Sequence, residues 1–144
     1  MKKTVLAVFL VIASMGPSAA QGALSCGAAA NNWPLLEQLK AHFLNAEYRA
    51  FLEGSGPMLS HEVENYDAYF GVMDDLFPEG FHHCQTVLVR AEDPGFRQEI
   101  VMYTRDDMRG PITLLLVGVM MRGVPQLVYF NYNSNSAAVL DELK

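Results

Sequence analysis

The one cluster in this sequence with the chemistry of metal ligands is His82-His83-Cys84. On a strand, successive side chains alternate, so His82 and Cys84 share one face and His83 takes the other. Two ligands do not make a site. A third would have to come from His61 or His42, and Cys84 is more simply explained by pairing with the only other cysteine, Cys26. General acid–base work has candidates in Tyr66, Asp67, Tyr69, Tyr103 and His83. Tyr66 lies on an apolar stripe and reads as a core aromatic with its hydroxyl at the rim, while Asp67 points away from that stripe. Asp74-Asp75 reads as a solvated helix face and Asp106-Asp107 as a turn. Cysteine–histidine nucleophilic chemistry requires a reduced Cys84. Gly-rich phosphate loops, paired-cysteine metal motifs and serine nucleophile elbows are absent from the sequence. The eight methionines are scattered and read as core filling. No catalytic residue, cofactor site or metal site is therefore assigned.

The reading of the cysteines depends on the compartment. Met1-Lys2-Lys3, an apolar run from Val5 to Ala13, and Pro17-Ser18-Ala19-Ala20 follow the basic, apolar, small-residue order of a secretory signal peptide, with cleavage expected after Ala20. Export favours an oxidised pair, so Cys26 and Cys84 are expected to form a structural disulfide. Closing a loop of this length is worth about 4 kcal/mol by the chain-entropy argument. The alternative is a lipoprotein with Cys26 acylated, but Leu24 stands one place too late for the usual pattern. After cleavage, 124 residues remain, enough for one domain spanning 33–144 behind an arm over 21–32, and too few for two domains. Loss of Lys2 and Lys3 from the 10 basic residues leaves 8 against 16 acidic ones. That balance opposes binding to nucleic acid or to an anionic membrane surface. The longest remaining apolar run, Ile112 to Met121, is about half of the roughly 20 residues a spanning helix needs.

The elements that would position any site follow from the hydrophobic period. From Trp33, the residues Leu36, Leu39, Phe43, Ala46 and Ala50 recur at helical steps, and the helix is expected to stop at Gly54-Ser55-Gly56-Pro57. A second helix follows, capped by Ser60, with Val63, Tyr66, Phe70, Met73 and Phe77 as its stripe and Pro78-Glu79-Gly80 as its end. Beyond Gly80 the period falls to two. Four strands are expected at about 81–92, 97–105, 111–121 and 124–132, joined by short turns into an antiparallel meander. Pairing Asp93 with Phe96 sets Arg90 opposite Glu99 and Glu92 opposite Arg97. Ser136 to Leu143 reads as a short C-terminal helix or tail. The fold class is α+β: two N-terminal helices packed on a curved four-stranded sheet.

Strands three and four are apolar on both faces, so both faces must be covered. Carrying alternation across the Arg122-Gly123 turn puts Leu115, Val117, Val119, Val128 and Phe130 on one face, a candidate surface for a sheet-to-sheet homodimer. The alternative cover is the C-terminal segment with the N-terminal arm. The helices close the other face, where Phe43, Tyr66, Phe70, Met73 and Phe77 line a candidate pocket.

This order of elements resembles the cystatin-like α+β roll of the NTF2-like superfamily over residues 33–132. Two stretches carry the likeness: Ala41-His42-Phe43-Leu44-Asn45-Ala46-Glu47-Tyr48-Arg49-Ala50-Phe51, similar to the first helix of small secreted members, and Phe130-Asn131-Tyr132-Asn133-Ser134-Asn135, similar to their closing strand. The resemblance implies a pocket between helices and concave sheet, and dimerisation through the sheet. Some members are isomerases or dehydratases, but their buried acid–base pair has no counterpart assigned here, so the fold does not license a reaction. The expectation is an extracytoplasmic, periplasmic or secreted, non-enzymatic binding module for a small apolar ligand or a protein partner. A small lyase or isomerase acting in the helix–sheet pocket is the alternative.

Overall fold

The computed structural model describes residues 26–27, 31–92 and 94–143. The expected signal segment and most of the N-terminal arm lie outside the described residues. Helix α1 (Pro34–Leu44) begins with proline at its first position, where a missing N–H costs nothing, and carries Glu37 in its first turn. Leu36, Leu39 and Phe43 are its buried stripe. The single helix expected through to Gly54 is instead two, because α2 (Tyr48–Gly54) restarts after a break at 45–47. Ala46 turns into the left-handed region with φ of 58°. The Leu44 carbonyl accepts from the Phe81 N–H (2.8 Å). Gly80 makes this approach possible: its own φ is +74°, and a Cβ there would collide with the Leu44 carbonyl oxygen and sit 2.8 Å from the Ala46 nitrogen. The break rotates α2, so Tyr48, Phe51 and Leu52 are buried rather than Ala46 and Ala50.

The second predicted helix also divides, into a 3₁₀ turn (Ser60–Asn65) and α3 (Tyr66–Leu76). No side-chain cap hydrogen bond is made at its start, so Ser60 does not take the expected role. Phe70 and Met73 are the buried residues of α3.

Strands β1 (His83–Glu92), β2 (Phe96–Thr104), β3 (Ile112–Met121) and β4 (Val124–Asn133) form one antiparallel meander in the order β1-β2-β3-β4. The first hairpin differs from the expected register by one residue: Arg90 faces Gln98, Ala91 faces Arg97 and Glu92 faces Phe96. Gly95 explains the shift. Its carbonyl accepts from Met120 N–H (2.7 Å), and a Cβ on it would lie 2.7 Å from that of Met120, so the turn folds down onto β3 and takes three residues instead of two. The charges then pair along their strands, Arg90 with Glu92 and Arg97 with Glu99. A second irregularity lies in β4, where Val117 faces Tyr129 but Gly118 faces Leu127, leaving Val128 as the extra residue of a bulge. Helix α4 (Ser136–Asp141) follows β4, capped by the Asn135 side chain, which accepts from Ala137 N–H.

Two cores result, one on each face of the sheet. The larger joins the helices to Val101, Tyr103, Leu114, Leu116 and Leu127. The smaller packs Val139 of α4, with Leu143 beyond it, onto Ile100, Leu115, Leu88 and Val117. Cys26 and Cys84 form the expected disulfide, with Cα atoms 4.7 Å apart. The Cys26 sulfur is thus not available for acylation.

Candidate functional site

Of the five residues expected to line a helix–sheet pocket, Phe43 and Phe70 fill the interior, while Tyr66 borders one surface hollow and Met73 and Phe77 another. Phe43 and Phe70 are fully buried and Met73 nearly so, while Tyr66 and Phe77 pack partly buried at the edge. The Phe43 ring meets Tyr103 at 4.7 Å and Phe81 at 5.8 Å, and Phe70 stacks on Tyr48 at 5.2 Å. Interlocked rings of this kind make a packed core. The phenol hydroxyls in this core are spoken for: Tyr48 donates to the Phe77 carbonyl, Tyr103 to the Lys40 carbonyl and Tyr132 to the Tyr69 carbonyl. Burial, reinforced by nearby Asp74 for Tyr48 and by Glu37 and Glu99 for Tyr103, pushes both phenols above their usual range. Tyr66 reaches outward to Asp74 at 2.7 Å, and burial together with that bond raises it as well.

Next to the aromatic core lies an ionic cluster that the sequence reading did not single out. Lys40 Nζ contacts Glu37 Oε1 at 2.5 Å, Glu99 Oε2 at 2.8 Å and Thr86 Oγ1 at 3.2 Å. Arg97 Nε donates to the other Glu99 oxygen at 2.5 Å, and its Nη1 donates to the Asn31 carbonyl at 2.9 Å. Lys40, Arg97 and Glu99 are 1%, 3% and 0% exposed. Two cations and two carboxylates balance one another in charge. Arg97 Nη2 has no hydrogen-bond partner among the described residues. A signal for the cluster existed: Lys40 sits on the same stripe as Leu36, Leu39 and Phe43, and Arg97 and Glu99 alternate in phase with Val101 and Tyr103.

The remaining candidates are apart. His82 and His83 are exposed, Cys84 is in the disulfide, and no group of three metal-ligating side chains occurs among the described residues.

The proposed dimer-face residues do not share one surface. Leu115, Val117 and Val119 face outward, with Leu115 beneath α4, but the bulge at Val128 turns Phe130 to the opposite side. Phe130 faces Leu116 across the strands and stacks on Phe70 at 5.7 Å. Tyr129 takes the outward place instead, and its hydroxyl donates to Glu142 at 2.8 Å, beside Asn131, which donates to the same carboxylate. Beyond α4 the outer face carries Met121, Val124 and Tyr129, which are 41%, 57% and 46% exposed. Among the described residues no helix is long and apolar enough to cross a membrane.

No known protein family, curated protein or solved structure matches the chain.

Proposed function

We propose that this chain is an extracytoplasmic, disulfide-bonded binding module without catalytic activity, built as a cystatin-like roll of the NTF2-like kind, that engages protein through the outer face of its sheet. Its first partner there is a second copy. The observation that carries this reading is the contrast between the two faces. The helix-side interior is filled by its own aromatic rings, while Met121, Val124 and Tyr129 stand exposed on the outer face past α4, with half-buried Val119 beside Gln126 between them. The same contrast weighs against a small apolar ligand in the interior. The lyase or isomerase alternative asks for an open chamber with a free acid–base pair, and the one buried ionic cluster among the described residues is locked in mutual ion pairs.

Light scattering on the exported chain tests this. The native protein is expected at the mass of two chains, and Val119→Asp at the mass of one with an unchanged circular dichroism spectrum. A native chain that stays monomeric at millimolar concentration refutes the self-pairing.

A further inference from the structure

One of the two edge strands of the sheet, β4, runs beside a helix. β4 pairs only with β3, so one side of it is open. At the near end that side is capped by the Leu127 N–H bond to the Ser55 carbonyl (3.2 Å). From Tyr129 to Asn133, among the described residues, no main-chain hydrogen bond joins it to any element other than β3. Helix α3 lies alongside this stretch, with Tyr69 against Phe130 at 5.7 Å between ring centroids. Two hollows follow one another between helix and strand and share Tyr132 as floor. One, of about 370 Å³, lies between Ala68, Tyr69 and Phe130; the other, of about 330 Å³, lies between Val72, Leu76, Phe77 and Ile112. Val72 and Leu76, one turn apart on α3, are 65% and 59% exposed.

We infer that this groove takes an extended segment of a basic partner protein as a fifth strand on β4. A row of unpaired main-chain donors and acceptors is a template for another strand, and exposed edges of natural proteins are ordinarily blocked by charge, proline or cover. Tyr129–Asn133 contains no charged residue and no proline. An added strand would turn alternate side chains toward α3, the spacing needed to fill the two hollows in succession. The second hollow is lined mainly by apolar side chains, with Asn133 and Ser134 as its polar members, and accepts an aliphatic residue.

Charge selects among extended segments. Between Glu47 and Glu79 the chain holds eight carboxylates and one cation, Arg49, whereas the rest of it, without Lys2 and Lys3 of the expected signal segment, holds eight acidic and seven basic residues. The helical layer thus carries the excess negative charge: Asp75 stands exposed next to Leu76, while Glu79, exposed beyond it, faces the field of Arg105, whose guanidinium lies over the Phe77 ring. A strand with Lys or Arg flanking its aliphatic residue is complementary to that bank, and an acidic one is repelled. This surface adjoins the apolar strip on the outer face at Tyr129, which also lines the first hollow, whereas Val119 lines neither hollow.

The probe is a labelled octapeptide of alternating lysine and valine with a central leucine, followed by fluorescence anisotropy on the full mature chain. Binding is expected to saturate and to weaken several-fold with added salt. N-methylation of alternate peptide bonds, which removes the main-chain donors, is expected to weaken it roughly tenfold. Leu76→Ser, a change at an exposed position, should weaken it several-fold, and Val119→Asp should leave it unchanged, which separates this groove from the dimer face. Equal binding of the N-methylated peptide, or of native and Leu76→Ser chains, overturns the proposal, since charge alone would then account for the signal. So does absence of binding at millimolar peptide, or a dimer that survives Val119→Asp and is dissociated by the peptide, which would make a second copy the occupant.

Discussion

Replacing Lys40 with Met removes a buried ammonium while keeping a side chain of similar length and volume. The consequence can be followed atom by atom. Glu99 Oε2 loses its partner at 2.8 Å but the carboxylate keeps Arg97 on Oε1, and the Glu37 side chain, 12% exposed, loses its contact at 2.5 Å but can turn toward water. Stripping one partner from a buried pair costs about 3–5 kcal/mol, and the retained Arg97 contact puts this case near the lower bound, about 3 kcal/mol. For a domain of this size that corresponds to a fall in Tm of roughly 10 °C. Urea unfolding followed by circular dichroism, with the disulfide intact, measures it. Because Lys40 and Glu99 are shielded from solvent, the loss should change little between low and high salt. The triple change Lys40→Met, Arg97→Met and Glu99→Leu removes the whole set of inner charges and should recover much of the stability, since a buried ion network replaced by apolar groups is often neutral or better. A Lys40→Met chain within about 0.5 kcal/mol of native, the scatter of ordinary surface changes, would refute the view that these charges depend on one another.

Two further outcomes are expected. Cys84→Ser should lower stability by about 4 kcal/mol, as the bridge closes a 58-residue separation, and the native chain should show no free thiol before unfolding; a native titre of two thiols contradicts the bridge. At alkaline pH, Tyr48 and Tyr103 stay protonated in the folded chain but ionise near pH 10 once unfolded. The unfolded state then binds fewer protons than the native one, so stability is full below about pH 10 and falls above it by about 1.4 kcal/mol per pH unit for each of the two. Tyrosinate absorbance should show them titrating only as the chain unfolds, and Tyr103→Phe should reduce the slope; reversible titration of all six tyrosines near pH 10 with intact structure would contradict the burial argument.

What could be read from the sequence was local. Strand limits agree with the structure within two residues because turn residues and the change of period lie next to the strands they bound. The helix break at 45–47 was hidden because its cause is 35 residues away, in a glycine that lets Phe81 reach the Leu44 carbonyl. The first hairpin register was hidden for a similar reason: two residues in the turn make the better cross-strand charge pairs, but three let Gly95 settle on Met120. Once the register moves by one, Glu99 no longer faces Arg90 at the surface and belongs with Lys40 inside. The ionic cluster was missed because the charge pairs across the hairpin drew Arg97 and Glu99 to the surface, although their alternation with Val101 and Tyr103 puts them inside.

The bulge at Val128 has the widest effect on function. Strict alternation from the Arg122-Gly123 turn puts Phe130 and Tyr132 outside and Tyr129 and Asn131 inside. One extra residue reverses this for the second half of β4. Phe130 and Tyr132 then close the aromatic core against Phe70, at 5.7 and 5.6 Å, which fills the space a ligand pocket would occupy. Tyr129 and Asn131 turn outward to hold Glu142, which seats α4 on Leu115 and Ile100. The same inward turn of Tyr132 forms the floor of the groove beside α3, so one inserted residue closes the interior, covers part of the outer face and leaves the edge of β4 open beside that groove.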